Sequence, residues 1–180
     1  EIEQGVATIR LRAGQHLAIR MRNEDEHSAA LSVTLDGLDS FAFSEEPGLE
    51  HYLIGSGGGE IQVDRWYVNR GMGHAFLAGT IEQGAFRLKT SAPNQLGSIR
   101  LVVHRAYRPG KTFRPEDEPD LSIGRGDTEP ASQLAIAKGE EVTGAAELTE
   151  AVVGRPRAHL TIVYLPDEVD HSAVDDSPKR

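Results

Sequence analysis

VATIRLRAGQHLAIRMRN, residues 6–23, decides the fold. In 6–13, Ile9 and Leu11 face one way while Arg10 and Arg12 face the other. In 16–23, Leu17, Ile19 and Met21 alternate with Ala18, Arg20 and Arg22. Successive side chains on a strand point to opposite faces, so a period of two means a strand with one dry and one wet face. Antiparallel sheets covering a core on one side produce this pattern. The next run, LSVTLDG (31–37), repeats it with Leu31, Val33 and Leu35 set against Ser32, Thr34 and Asp36.

Working outward, the spacing predicts further strands at 40–44, 50–55, 60–67, 74–78, 98–107, 133–137 and 158–164. Turn chemistry punctuates them: Gly14, Asn23 to Glu26, Asp36-Gly37, Gly55 to Gly59 and Asn69 to Gly73 recur at roughly ten-residue intervals. The fold class is therefore all-β, an antiparallel sandwich of jelly-roll or Greek-key type. Its expected core holds Ile9, Leu11, Leu17, Ile19, Leu31, Val33, Phe41, Phe43, Ile61, Val63, Leu101, Val103, Leu160 and Ile162. Residues 139–152 (GEEVTGAAELTEAV) read as a short helix, and 80–95 is open between a strand and a helical turn. The proline- and acid-rich stretch at about 108–132 reads as a long irregular loop wrapping the sandwich. Residues 1–165 read as one domain and 166–180 as a polar, acidic C-terminal tail. A chain starting at Glu1 rather than Met reads as cropped or processed, with an upstream domain expected in the full-length protein.

Composition narrows the function classes. The net charge is −9 and the pI about 5.2, which argues against nucleic acid and against an anionic membrane surface. The arginines of 10–22 alternate with apolar residues and read as a solvated sheet face. Without cysteine there is no disulfide, thiolate zinc site or Cys nucleophile. No apolar run approaches the length of a membrane span, and no targeting segment is present, so the compartment stays open.

Several stretches together resemble an uncharacterised bacterial β-domain family: LSVTLDGLDSFAFSE (31–45), YLIGSGGGEIQVDRWYVNRG (52–71), AFLAG (75–79) and GSIRLVVHRAY (97–107). That family pairs a DG-x-x-x-F-x-F-S hairpin with a Gly-rich strand leading to a Trp, then a G-x-I-x-V strand. GRGDTEP (124–130) and RPRAHLTIVY (155–164) resemble its closing segment. Asp64-Arg65 stands where the family carries a glycine before the Trp. The resemblance implies a shared β fold and no particular activity.

Each motif has a plain structural reading. The seven histidines (16, 27, 51, 74, 104, 159, 171) include no i,i+2 or i,i+4 pair and no H-E-x-x-H frame. Asp36 and Asp39, in DGLDS, are too few for calcium; Asp36-Gly37 suits a tight hairpin turn. GSGGGE (55–60) lacks the Lys-Ser/Thr of a phosphate loop and precedes a strand, so it reads as a hairpin connection. Ser56 and Ser122 lie outside any G-x-S-x-G elbow. Arg125-Gly126-Asp127 reads as a polar turn. Of Trp66 and Tyr67, one is expected in the core and the other outside. The expected contact surface is the loops 36–40, 55–60 and 68–74, with Asp36, Asp39, Trp66, Tyr67 and Arg70 as candidate ligand contacts.

No residue is assigned to catalysis, metal or cofactor. The reading is a non-catalytic binding or protein-interaction module whose partner is a protein or small ligand. A jelly-roll hydrolase or metal-dependent enzyme, and a structural or assembly domain pairing through strand edges, are the alternatives.

Overall fold

The computed structural model describes residues 2–3, 6–89, 95–110, 118 and 133–167. These form an all-β sandwich. The larger sheet takes, in spatial order, β1 (Ile2–Glu3), β2 (Val6–Leu11), β13 (Val152–Pro166), β11 (Ser98–Tyr107), β5 (Ala29–Leu35) and β6 (Leu38–Asp39). β7 (Tyr52–Ile54) also pairs with β5. The second sheet orders β12 (Leu134–Thr143), β10 (Met72–Thr80) and β3 (His16–Leu17), with β9 (Arg65–Asn69) on β10. β4 (Ile19–Asn23) and β8 (Gly59–Val63) form a separate ribbon. One pair is parallel: Ile9 of β2 lies opposite Tyr164 of β13. A parallel pair needs a long crossover, and here most of the domain intervenes between its strands.

The core is where the two sheets face. Leu31, Val33 and Leu35 of β5 pack with Ile99 and Leu101 of β11, Phe76 and Ala78 of β10, and Ile136 of β12. All fourteen residues expected in the core are buried or packed against it. Full burial of one such side chain contributes about 1.5–3 kcal/mol, and the half-buried Ile9, Phe43, Ile61, Val103, Leu160 and Ile162 contribute less. The largest fully buried side chains, Trp66, Tyr164 and Phe76, are not among the fourteen. Trp66 meets Phe76 edge-on at 5.1 Å and donates its indole N–H to the Ala137 carbonyl.

Several expected boundaries move. The run 16–23 breaks at Ala18, and 60–67 breaks at Asp64, sending each half to a different sheet. Residues 40–44 are a turn, not a strand. The Asp39 carboxylate accepts the Phe41 N–H at 2.8 Å, and the Ala42 N–H returns to the Asp39 carbonyl. This local pairing competes with a ladder. No helix forms at 139–152: β12 runs to Thr143, and 144–151 continue as an irregular strap. Between 80 and 95, two short 3-10 turns form, Ile81–Gln83 and Ala85–Leu88. β13 is longer than expected, and Asp167 remains docked, its N–H on the Leu11 carbonyl and its carboxylate on Arg12 at 2.6 Å. The RGD turn, Ser122, His171, most of the 108–132 loop and the tail beyond Asp167 lie outside the described residues. Glu118 is described and buried. It accepts from the Tyr107 hydroxyl at 2.5 Å and the Arg155 N–H at 2.6 Å, and faces the Arg157 guanidinium at 3.4 Å.

Candidate functional site

Asp36 occupies a two-residue turn between Leu35 and Leu38, with φ 54° there and 78° at Gly37. A side chain in this left-handed region is strained, and Asp tolerates it better than most. The turn folds inward, so Asp36 is 1% exposed rather than at the surface. Its carboxylate accepts the Gly97 N–H at 2.8 Å, the Ile136 N–H at 2.7 Å and the Tyr164 hydroxyl. These donors lie at the start of β11, in β12 and in β13, so one carboxylate ties both sheets together. Burial pushes its carboxyl above the ordinary range, against the pull of the three donors. With its acceptor sites taken, Asp36 is a keystone of the fold.

The other expected contacts divide. Trp66 and Tyr67 point to opposite faces of β9, yet both are buried, at 1% and 5% exposure. The loop 40–46 covers the Tyr67 side: the Tyr67 N–H donates to the Ser40 carbonyl, and the Glu45 N–H to the Val68 carbonyl. Asp39 is half-buried and spent on Phe41, its carboxyl raised by burial. Only Arg70, exposed, sits where a contact surface was expected.

Tyr67 and Arg70 do share a site: they line a groove of about 790 Å³ together with residues 49, 51–53, 61–65 and 144–150. Its origin lies in the β7–β8 connection. The two strands join through Gly55 to Gly58, but β7 pairs with β5 and β8 pairs with β4. They are not laddered to each other, and the groove occupies the gap. Phe41, Tyr52 and Tyr67 form its aromatic wall, with ring centroids 4.4 and 5.4 Å apart. The strap 144–150 closes one side, held by the Gly144 N–H on the Gly71 carbonyl and the Ala146 N–H on the Arg70 carbonyl.

Polar groups along the groove are held in place. Asp64 accepts from Arg65 at 2.7 Å and from Gln62 at 3.2 Å. Burial works against its charge, but these bonds outweigh it and hold the carboxyl below its usual range. Glu46 accepts the Tyr67 hydroxyl at 2.6 Å and the Arg70 guanidinium at 3.3 Å. Burial, reinforced by that carboxylate, pushes the Tyr67 phenol up to about 12. Burial lowers His51, helped by the His104 ring 5.1 Å away. The Tyr52 hydroxyl is buried with no hydrogen-bond partner among the described residues, and burial pushes its phenol up. Among the described residues no three His, Asp or Glu side chains converge as a metal site.

Sequence reasoning missed Gln62, Asp64, Arg65, His51 and the strap. No alternation or turn signal marks them as one site; the chain leaves one sheet for another at Asp64, and that break brings them to the groove.

The fold and groove define a β-sandwich with a cleft at a splayed hairpin. No family model matches the chain, and neither the curated proteins nor the solved structures contain a significant match. No helix of the described residues is long and apolar enough to cross a membrane.

Proposed function

We propose that this chain is a protein-interaction module that takes a short extended segment of a partner in the groove between β7 and β8. One observation carries the reading: both strands border the groove without pairing across it. Unpaired strand edges present backbone N–H and C=O groups, which an added strand satisfies while its side chains enter flanking pockets. Phe41, Tyr52 and Tyr67 supply the apolar wall that anchors one such side chain. Gln62, Asp64, Arg65 and Arg70 supply fixed polar groups for register.

The test is selection of a random short-peptide library against the immobilised protein, then titration of the selected peptide into isotope-labelled protein. Amide shifts should concentrate in residues 49–53, 61–72 and 144–150. Shifts confined to other strands, or a library that yields no binder above background, would refute the reading.

A further inference from the structure

A second surface, away from the groove lining, has its own chemistry. Lys89 follows the second 3-10 turn and Lys138 lies on β12, yet both ammonium groups sit over the Phe43 ring, at 5.2 and 5.0 Å from its centroid. They therefore lie within roughly 10 Å of each other, about one Debye length at moderate salt, so each feels the other's charge. Neither has a carboxylate partner among the described residues. Elsewhere, Arg12, Arg22, Arg65, Arg70 and Arg157 each have one. What sets Lys89 and Lys138 apart is that both ammonium groups are brought over one ring, where they repel each other. The ring quadrupole offsets part of their repulsion, and an incoming carboxylate would relieve the rest.

The chain neighbour of Lys89 adds an apolar element. Leu88 is 64% exposed, the most exposed large hydrophobic side chain among the described residues. Phe43 itself is fixed, packed edge-on against buried Trp66 at 5.7 Å. The two ammonium groups thus share one packed ring, and an exposed leucine stands next in the chain to one of them.

We infer that Lys89, Lys138, Phe43 and Leu88 form a docking surface for an acidic segment of a partner protein that also carries an apolar residue. Its carboxylates meet the two ammonium groups, and its apolar side chain covers Leu88. Complementary charge of this kind fixes register and speeds encounter.

The experiment uses a fluorescent peptide alternating Asp or Glu with Leu, and its Asn/Gln counterpart, followed by anisotropy. The acidic peptide should bind saturably and weaken with salt. The double substitution Lys89→Met with Lys138→Met keeps apolar stems over Phe43, so the fold is retained while both charges go. It should lose about ten-fold in affinity, whereas Lys89→Arg with Lys138→Arg should retain it. Leu88→Ala should weaken binding without moving the melting temperature. Equal binding by the methionine variant, or by the Asn/Gln peptide, would overturn the proposal, as would no saturable binding. Self-association abolished by the methionine pair would also overturn it, assigning the surface to a second copy of this chain.

Discussion

Two hairpins of this protein start from similar turn signals and end differently. Leu35-Asp36-Gly37-Leu38 holds both its strands in one sheet, in register. Gly55 to Gly59 joins β7 to β8, and those strands part into different sheets. The difference is a side chain. Asp36 carries its turn into the core and bonds three donors there. The glycine turn offers only backbone: the Gly57 and Gly58 N–H groups bond back to Asp25 and Asn23, on the β4 side. A turn tied to the core keeps its strands together; a turn tied to one neighbour lets the other strand leave, and the cleft follows.

Removing the Asp36 carboxylate should break the comparison most severely. Asp36→Ala leaves the Gly97 and Ile136 N–H groups and the Tyr164 hydroxyl buried without an acceptor. Each such group costs about 1–3 kcal/mol. Urea unfolding should show a loss on the order of 3–5 kcal/mol; a loss under about 1 kcal/mol would mean the keystone role is wrong.

The glycine turn should respond less. A Cβ at Gly59 would meet the Gly55 backbone carbon at 2.8 Å, so Gly59→Ala forces the turn open at about 1–3 kcal/mol. Gly57 has open space and only its φ of 64° to defend, so Gly57→Ala should cost about 1 kcal/mol. Equal costs at both positions would remove the geometric distinction.

Alkaline pH probes both regions at once. All four tyrosines are held protonated by burial, two of them reinforced by the carboxylates of the two regions, Tyr164 by Asp36 and Tyr67 by Glu46. A folded-state phenol raised above its unfolded value contributes stability below pH 10 that is lost as pH rises; for Tyr67 the window runs from 10.0 to about 12. Tyrosinate absorbance should therefore appear with unfolding rather than before it, and Tyr67→Phe should flatten part of the decline. Independent ionisation of a tyrosine in folded protein near pH 10 would contradict this.

The smallest effect belongs to Arg70. Its side chain is 66% exposed, and surface ion pairs contribute about 0–1 kcal/mol. Arg70→Ala should leave the melting temperature nearly unchanged while weakening any peptide bound in the groove. A marked fall in melting temperature would make Arg70 structural.

The period of two in 6–23 and 31–37 was enough to place Ile9, Leu11, Leu17, Ile19, Leu31 and Val33 on a dry face, because alternation is local and burial follows it. Asp36-Gly37 was legible as a turn, for the left-handed backbone it requires. The inward fate of its carboxylate was not legible, since Gly97, Ile136 and Tyr164 are 61 to 128 residues away. Nor was the groove: of its lining, Tyr67 and Arg70 had been singled out, while Gln62, Asp64, Arg65 and the strap 144–150 come together only in space.

Alternation and turn residues thus determined an all-β sandwich, because each depends on neighbours along the chain. Which strands pair, where a strand breaks between sheets, and which aromatic pair is wholly buried were decided by the tertiary structure. Those outcomes depend on what a distant segment offers: an acceptor for a buried N–H, a carbonyl for Trp66, a covering loop for Tyr67. A one-dimensional pattern carries no information about such partners.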